Sequence, residues 1–442
     1  GAPVGIAYPA PDRVEQSAEE ILASVHAAAT ACLAGVDPAR VAAVGLSNQR
    51  ESVLLWDRDS GRPLGPLLSW QDRRTAELCA RLRADGHAEL VRSRSGLPLD
   101  PMFSAPKVSW LLDAVDPDRA AARAGRICLG TVDTWLRYRL TGSHAIEAGN
   151  AARTQLVNVA TAGWDDDLLA LFDVPAAVLP EIVPSCGTGE KATVGPVAGV
   201  PLAAVLGDSH AALYAHGATD PGVVKVTYGT GSSVMRLTDH TAVTGACTTI
   251  AWADPAPRRA AEGNIRSSGA TIAWLGRLTG RSADDIAALA AASDNGGVHI
   301  VPAFGGLAAP WWDDSAVGVI DGLTFATTDA HLARAAIESI AFQVADVIEA
   351  MAVDGPPSVI VADGGASAND TLMRIQADVC GVPVRRASQP ELSALGAAYL
   401  AGRTVGLWDS APAGAVTYDE FAPGARRSTD EWRTAVARAR LS

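Results

Sequence analysis

An α/β protein of two domains is what this sequence predicts, and three observations carry that expectation. Its 442 residues exceed what one compact core ordinarily organises. Short, nearly all-apolar runs of strand length are mixed with stretches of helical period along the whole chain. Two of the apolar runs lead through glycine into chemistry-bearing residues, at Gly207-Asp208 and at Asp363-Gly364-Gly365. Ligands of α/β sheets gather at such strand ends.

The elements follow in order. Val4-Gly5-Ile6-Ala7-Tyr8 reads as extended. Ser17-Ala18-Glu19-Glu20 reads as a capping box opening a helix, with Ile21, Leu22, Val25, Ala28, Ala29 and Cys32 at helical spacing and Gly35 and Pro38 ending it. Residues 41–47 form a short apolar run expected of a buried strand, and 52–56 a second strand, followed by the turn Asp57-Arg58-Asp59-Ser60-Gly61-Arg62. Helices are expected over about 75–84, 105–115 and 131–140. Residues 178–201, rich in Pro, Gly and Val and lacking helical period, predict strands and loops leading to an interdomain region.

Beyond residue 215 the pattern restarts. It predicts a hairpin about Gly229, a helix near 268–278, and a long helix over 331–351 with Leu332, Ala336, Ile340, Val344, Val347, Ile348 and Met351 on one stripe. A strand over 358–362 runs into Asp363-Gly364-Gly365-Ala366-Ser367-Ala368-Asn369, and a helix follows from Thr371. The expected domains are therefore 1–215 and 216–442. No plain internal repeat is visible.

Composition narrows the function. A net charge of −13 argues against sequence-blind nucleic-acid binding, which rests on basic surface. No apolar run approaches the roughly 20 residues that span a bilayer, so no membrane partner is expected. Six scattered cysteines without a C-x-x-C pair predict a reduced cytoplasmic protein with buried thiols, neither a disulfide frame nor a zinc site. None of the three lysines, Lys107, Lys191 and Lys225, completes G-x-x-x-x-G-K-[ST], which excludes a P-loop phosphotransferase.

Three constellations carry chemistry. The carboxylate of Asp208 closes an apolar strand shortly before Val224-Lys225-Val226-Thr227-Tyr228-Gly229-Thr230-Gly231-Ser232. A carboxylate can take a hydroxyl proton or hold Mg²⁺, and a Gly-Thr-Gly turn offers backbone N–H groups and a hydroxyl to phosphate; together they suggest phosphoryl transfer to an alcohol. A helix N-cap role for Asp208 is compatible with that reading. Ser209-His210 lacks the G-x-S-x-G context of a hydrolase elbow. Arg50-Glu51, past the strand ending at Ser47, suits hydroxyl recognition, although a surface ion pair is the plainer reading. The strand–Gly-Gly–helix unit from 359 lets a ligand approach backbone closely, although a tight strand-to-helix turn would need the same glycines.

Taken together these motifs resemble the FGGY carbohydrate kinase family, and its glycerol kinase branch in particular. The resemblance rests on Asn48-Gln49-Arg50-Glu51, Trp70-Gln71-Asp72-Arg73-Arg74 and Phe103-Ser104-Ala105-Pro106-Lys107-Val108-Ser109-Trp110. Further along it rests on Val301-Pro302-Ala303-Phe304-Gly305-Gly306-Leu307, Ala309-Pro310-Trp311-Trp312, Gly318-Val319-Ile320-Asp321-Gly322-Leu323, His331-Leu332 and Ala335-Ala336-Ile337-Glu338. It implies two actin-like (ribonuclease-H-like) domains closing over a cleft that holds ATP·Mg²⁺ and a polyol or sugar. By the same resemblance Asp208 is the general base near Mg²⁺, and Thr230 meets the nucleotide phosphates. Gly269, Gly365 and Asn369 meet the nucleotide; Arg50, Glu51, Trp110 and the Asp208-Ser209 pair meet the acceptor. ATP and ADP are the implied nucleotide partners, and a homodimer or homotetramer is the implied assembly.

Departures from the family pattern shape the substrate expectation. Ala148 stands where the glycerol kinases have tyrosine, Ser209 where they have glutamine, and Ser233 where they have phenylalanine. All three are expected to face the substrate, giving a wider and more polar pocket that suits a longer polyol or ketose better than glycerol. Ala273 replaces a glutamine near the nucleotide, with a smaller expected effect. The family's first phosphate loop, an Asp-x-Gly-Thr hairpin at the N-terminus, does not occur in the chain, which starts at Gly1 without methionine. This reads as truncation, and the chain as given is expected to show weak or no kinase activity and a sheet with an unpaired edge. The rival readings are a catalytically silent homologue that binds sugar or nucleotide as a regulator, and an actin-like ATPase, which the acceptor-type motifs disfavour.

Overall fold

The computed structural model describes residues 1–409 and 416–441. Helices and strands are mixed throughout, in two compact units. The first comprises 1–217, 248–259 and the described residues of 391–413; the second comprises 218–247, 260–390 and the described residues of 414–442. The chain thus leaves the first unit just beyond residue 215 and returns to it twice. Among the described residues no helix is long and apolar enough to cross a membrane.

In the first unit, strands Ala7–Ala10, Arg13–Gln16, Leu67–Leu68, Val53–Asp57 and Ile127–Thr131 form an antiparallel sheet in that order. Its core includes the fully buried Trp56 and Trp135, edge to face at 5.5 Å. A separate parallel pair, Val44–Asn48 beside Leu202–Gly207, sets Ser47 opposite Leu206 and Asn48 opposite Gly207. Helix Leu392–Thr404 lies hard against this pair. A Cβ on Gly45 would overlap the backbone of Ala397, and one on Gly396 the carbonyl of Ala211. The first helix, Ala18–Cys32, is capped one way: Ser17 Oγ accepts the N–H of Glu20 at 3.3 Å.

In the second unit, strands Val223–Tyr228 and Ser232–Thr238 make the expected hairpin, with Thr227 opposite Ser233 and Tyr228 opposite Ser232. Strand Val359–Asp363 runs parallel to the first of these and sets Asp363 opposite Thr227. Strand Val384–Ala387 follows in parallel, and Tyr418–Phe421 closes that side antiparallel. The long helix is Asp329–Ala350. It starts two residues before the predicted 331 because Thr328 and His331 cap it reciprocally. Its stripe of Ala336, Ile340, Val344, Val347 and Ile348 is buried, each branched side chain contributing about 1.5–3 kcal/mol.

The C-terminal helix Asp430–Ala439 docks on that long helix through Trp432. The indole stacks on Phe342 at 5.4 Å and donates Nε1–H to Asp346 Oδ2 at 2.8 Å. Burial pushes the Asp346 carboxyl up to about 7, against the pull of that hydrogen bond. The folded protein therefore retains a proton that the unfolded chain releases, and stability falls as pH rises from about 4 towards about 7. Asp346→Asn keeps an acceptor for Trp432 and removes the buried charge. It is expected to add roughly 2 kcal/mol at alkaline pH and to flatten that decline, measured by urea unfolding across the range. A variant less stable than the parent above neutrality would show that desolvation does not dominate there.

Candidate active site

Adjacent parallel strands end at the same level, and their next residues meet. Past Val44–Asn48 come Arg50 and Glu51; past Leu202–Gly207 comes Asp208, the first residue of helix Asp208–Ala215. Arg50 Nε lies 3.5 Å from Asp208 Oδ1 and 4.0 Å from Glu51 Oε1. Asp208 does not take the N-cap role that the sequence allowed it; Gly207 holds the cap position, and Asp208 Oδ1 accepts the N–H of Ser209 at 2.6 Å. That leaves Oδ2 without a hydrogen-bond partner among the described residues, on a side chain that is 49% exposed. Arg50 is nearly buried, and its Nη1 reaches His210 Nε2 at 3.2 Å. A guanidinium only donates, so His210 accepts there and carries its proton on Nδ1.

Glu51 is strained. Its φ of 61° is left-handed, and the N–H of Ser52 closes on the carbonyl of Arg50 at 2.7 Å, a γ-turn centred on Glu51. Such a residue costs of order 1–3 kcal/mol and persists only where its surroundings hold it. Here Arg153 Nε grips Glu51 Oε1 at 2.5 Å, and Ser104 Oγ donates to the Glu51 carbonyl at 2.8 Å. Ser104 opens helix Ser104–Val115, which also carries Lys107 and Trp110. Burial pushes the Lys107 amine down to about 8, while Glu51, Asp72 and Asp100 pull it back up.

Trp110 is only partly buried. Its ring packs under Arg74 at 4.5 Å and beside Arg13 at 6.0 Å. Arg74 is in turn locked to Asp72 and Glu15, so Trp70-Gln71-Asp72-Arg73-Arg74 acts largely as a brace for the aromatic ring. Ala148 does not open a space. It is buried in a cluster with Ala152, Ile250 and Ala253, so it borders packed side chains and not the open space that was expected.

The second unit carries the other predicted group. Thr230 sits exposed at the tip of the hairpin turn. The N–H groups of Gly269 and Ala270, opening helix Gly269–Thr279, donate to the carbonyls of Gly229 and Thr230 at 3.0 Å each. A Cβ at Gly269 would come within 2.8 Å of the Gly229 carbonyl, so packing against the turn already requires this glycine. Thr227 and Ser233, opposite each other in the hairpin, have buried hydroxyls with no partner among the described residues. Lys225 is buried 4.0 Å from Asp363.

After strand Val359–Asp363, Gly364 takes φ 88° and packs against the Tyr228 backbone; Gly365 is exposed in the short turn that follows. Asn369 caps helix Asp370–Cys380 by accepting the N–H of Leu372 at 3.0 Å. Sequence reasoning missed Arg386, which holds this turn through the carbonyls of Ser367 and Ala368 and the carboxylates of Asp370 and Asp419. No local pattern marks that arginine. The structure thus brings Arg50, Glu51, Asp208 and Ser209 together in the first unit, with Trp110 tied in through the Ser104 helix. It groups Thr230 with Gly269 in the second unit, and Gly365 with Asn369.

Comparisons with known proteins identify the family. Residues 2–215 match the N-terminal domain, and residues 224–405 the C-terminal domain, of the FGGY family of carbohydrate kinases. The chain is 45% identical to an apulose kinase of Pectobacterium atrosepticum, over 99% of this chain and 92% of that protein. It is 46% identical to a glycerol kinase of Alkalilimnicola ehrlichii, over 98% of this chain and 91% of that protein. A structure of Plasmodium falciparum glycerol kinase with ADP superposes with a TM-score of 0.93 at 27% identity, covering 99% of this chain and 92% of that one.

Gly207 tests the Arg50–Asp208 geometry with one methyl group. A Cβ there would lie 2.7 Å from both Cγ and Cδ of Arg50, and its φ of −61° tolerates any residue. Gly207→Ala is therefore expected to push Arg50 off Asp208 and lower kcat/KM for the acceptor by roughly tenfold, with little change in Tm. Unchanged kinetics would mean that the position of Arg50 does not matter to turnover.

Proposed function

This chain belongs to the FGGY family of carbohydrate kinases, and from that premise we propose that it transfers the γ-phosphoryl group of ATP to a hydroxyl of a small sugar or polyol, with Asp208 as the base. The fold is the two-domain, actin-like α/β arrangement of the family. The observation that carries the catalytic reading is the open Oδ2 of Asp208, on a carboxylate whose other oxygen is held by Ser209 and Arg50. In the reaction the acceptor O–H gives its proton to Oδ2 while its oxygen bonds to phosphorus. The bridging P–O bond breaks, and its electrons leave on ADP. Arg50 and Glu51 orient the acceptor by donating to and accepting from its hydroxyls. Thr230, Gly269, Gly365 and Asn369 are proposed to meet ATP; the ADP-bound glycerol kinase of Plasmodium falciparum supports a nucleotide on this fold.

Among the described residues no three His, Cys, Asp or Glu side chains gather as a metal cage. A single open carboxylate fits Mg²⁺ that arrives on the nucleotide phosphates and keeps most of its water. When bound there, such an ion offsets phosphate charge. Asp208 is the residue proposed to lie beside it.

The acceptor is proposed to be larger than glycerol, a four- or five-carbon polyol or ketose. Ser209, and Ser233, whose hydroxyl like that of Thr227 opposite it has no partner among the described residues, support this reading, and so does the likeness to an apulose kinase. Ala148 no longer contributes to it. The proposed setting is the cytoplasm, with small molecules as partners and a homodimer or homotetramer as the assembly.

Steady-state kinetics on an acceptor panel checks both parts. Asp208→Asn should lower kcat by roughly 10²–10⁴-fold with little change in KM for ATP. Four- and five-carbon acceptors should exceed glycerol in kcat/KM by about tenfold or more. Full turnover by the Asp208 variant would remove the base, and a preference for glycerol would remove the larger acceptor.

A further inference from the structure

We propose that Glu147 is the positioning residue of the acceptor side: its carboxylate holds the short helix Ala148–Ala152, and through that helix sets Arg153 on Glu51 and Asn150 on Asn48. The inference rests on the acceptor reading of Arg50 and Glu51 given above. Glu147 is completely buried and accepts four hydrogen bonds. They come from the N–H groups of Gly149 at 2.7 Å and Asn150 at 2.8 Å, from Asn150 Nδ2 at 3.0 Å, and from Ser185 Oγ at 2.5 Å. Only an ionised carboxylate accepts at all four; once protonated, its O–H either faces an N–H donor or turns Ser185 Oγ from donor to acceptor, and the set of four is broken. Gly149 lets the turn close this tightly, since a Cβ there would lie 3.1 Å from both Glu147 oxygens.

A helix of five residues has no stability of its own, so its cap decides its position. Two contacts read that position out. Asn48 Nδ2 donates to Asn150 Oδ1 at 2.8 Å, and Asn48 ends the strand that delivers Arg50. Arg153, just past the helix, holds the strained Glu51 at 2.5 Å. Slackening the cap therefore loosens both ends of the Asn48–Glu51 segment.

The charged surroundings of Glu147 are few. Asp133, on helix Val132–Thr141, accepts the Glu147 N–H at 3.0 Å; it is itself buried and pushed up. Arg137 on the same helix pulls Asp133 down and pairs with Glu190. Strand Glu181–Val183, which sets Val183 opposite Glu147, brings only the exposed Glu181; strand Leu202–Gly207 and residues 248–253 bring no titratable side chain, and Arg153 is engaged with Glu51. Burial pushes Glu147 up to about 7, with Asp133 adding to it, while the hydrogen bonds from Ser185, Gly149 and Asn150 pull it down. The cap is set above that point and slack below it, so acceptor affinity should fall as pH drops through neutrality.

The test measures acceptor KM, ATP KM and kcat of the full chain from mildly acid to mildly alkaline pH, for the parent, Glu147→Gln and Ser185→Ala. Amide exchange over 147–153 reads the cap independently of turnover. The parent should show an acceptor KM that rises roughly tenfold on acidification, with faster exchange over 147–153 and a steady ATP KM. Glu147→Gln should fix the acceptor KM high and remove the inflection. Ser185→Ala should move the inflection to higher pH, because it deletes a bond that favours the ionised form. A parent acceptor KM that is flat with pH, or an inflection that persists in Glu147→Gln, would overturn the proposal. Should Glu147→Gln fail to fold, an unmoved inflection in Ser185→Ala would do the same. In a parent that turns over no acceptor at any pH, the exchange data alone decide: protection over 147–153 that does not change with pH overturns the proposal.

Discussion

The parallel pairing of Val44–Asn48 with Leu202–Gly207 is the constraint on which the Arg50, Glu51 and Asp208 cluster depends. Because Asn48 and Gly207 lie opposite each other, the residues just beyond them emerge together: a cation and an anion from one strand, a carboxylate from the other. The pairing is kept close by absent side chains. Gly45 and Gly396 admit helix Leu392–Thr404, and Gly207 leaves the space that the Arg50 side chain crosses. A one-residue slip would move every side chain of either strand to the opposite face.

Electrostatics then decides what the site can do. Arg50, Glu51 and Arg153 are almost wholly buried, and taking such charges out of water costs several kcal/mol each unless they are paired. Their mutual contacts offset that cost and fix geometry, which phosphoryl transfer needs more than it needs covalent help. Asp208 is the half-exposed member, with one oxygen committed and one open. That asymmetry sets Asp208 apart from a purely structural ion pair.

Much of this was legible in the sequence because it lies in local pattern. Asp208 after an apolar strand, the hairpin about Gly229, and the strand running into Gly364-Gly365 all read from residue type and spacing. The long helix was placed within two residues, its start shifted by the Thr328 cap. What could not be read depends on contacts distant in the chain or on backbone conformation. The γ-turn at Glu51 is held by Arg153, 102 residues away. The grip of Arg386 on the turn before Asn369 leaves no local trace either. One substrate expectation changed for the same reason, and one glycine gained a structural role beside its expected one. Ala148 was expected to open space, yet residues a hundred positions later pack over it; Gly269 proved to be needed for packing against Gly229 whatever else it touches.

Phosphorus NMR of the full chain incubated with ATP and a four- or five-carbon sugar or polyol addresses the central claim most directly. The account predicts that signals for ADP and for a new phosphate monoester rise together, one for one, with little inorganic phosphate. ADP accompanied only by inorganic phosphate would contradict it.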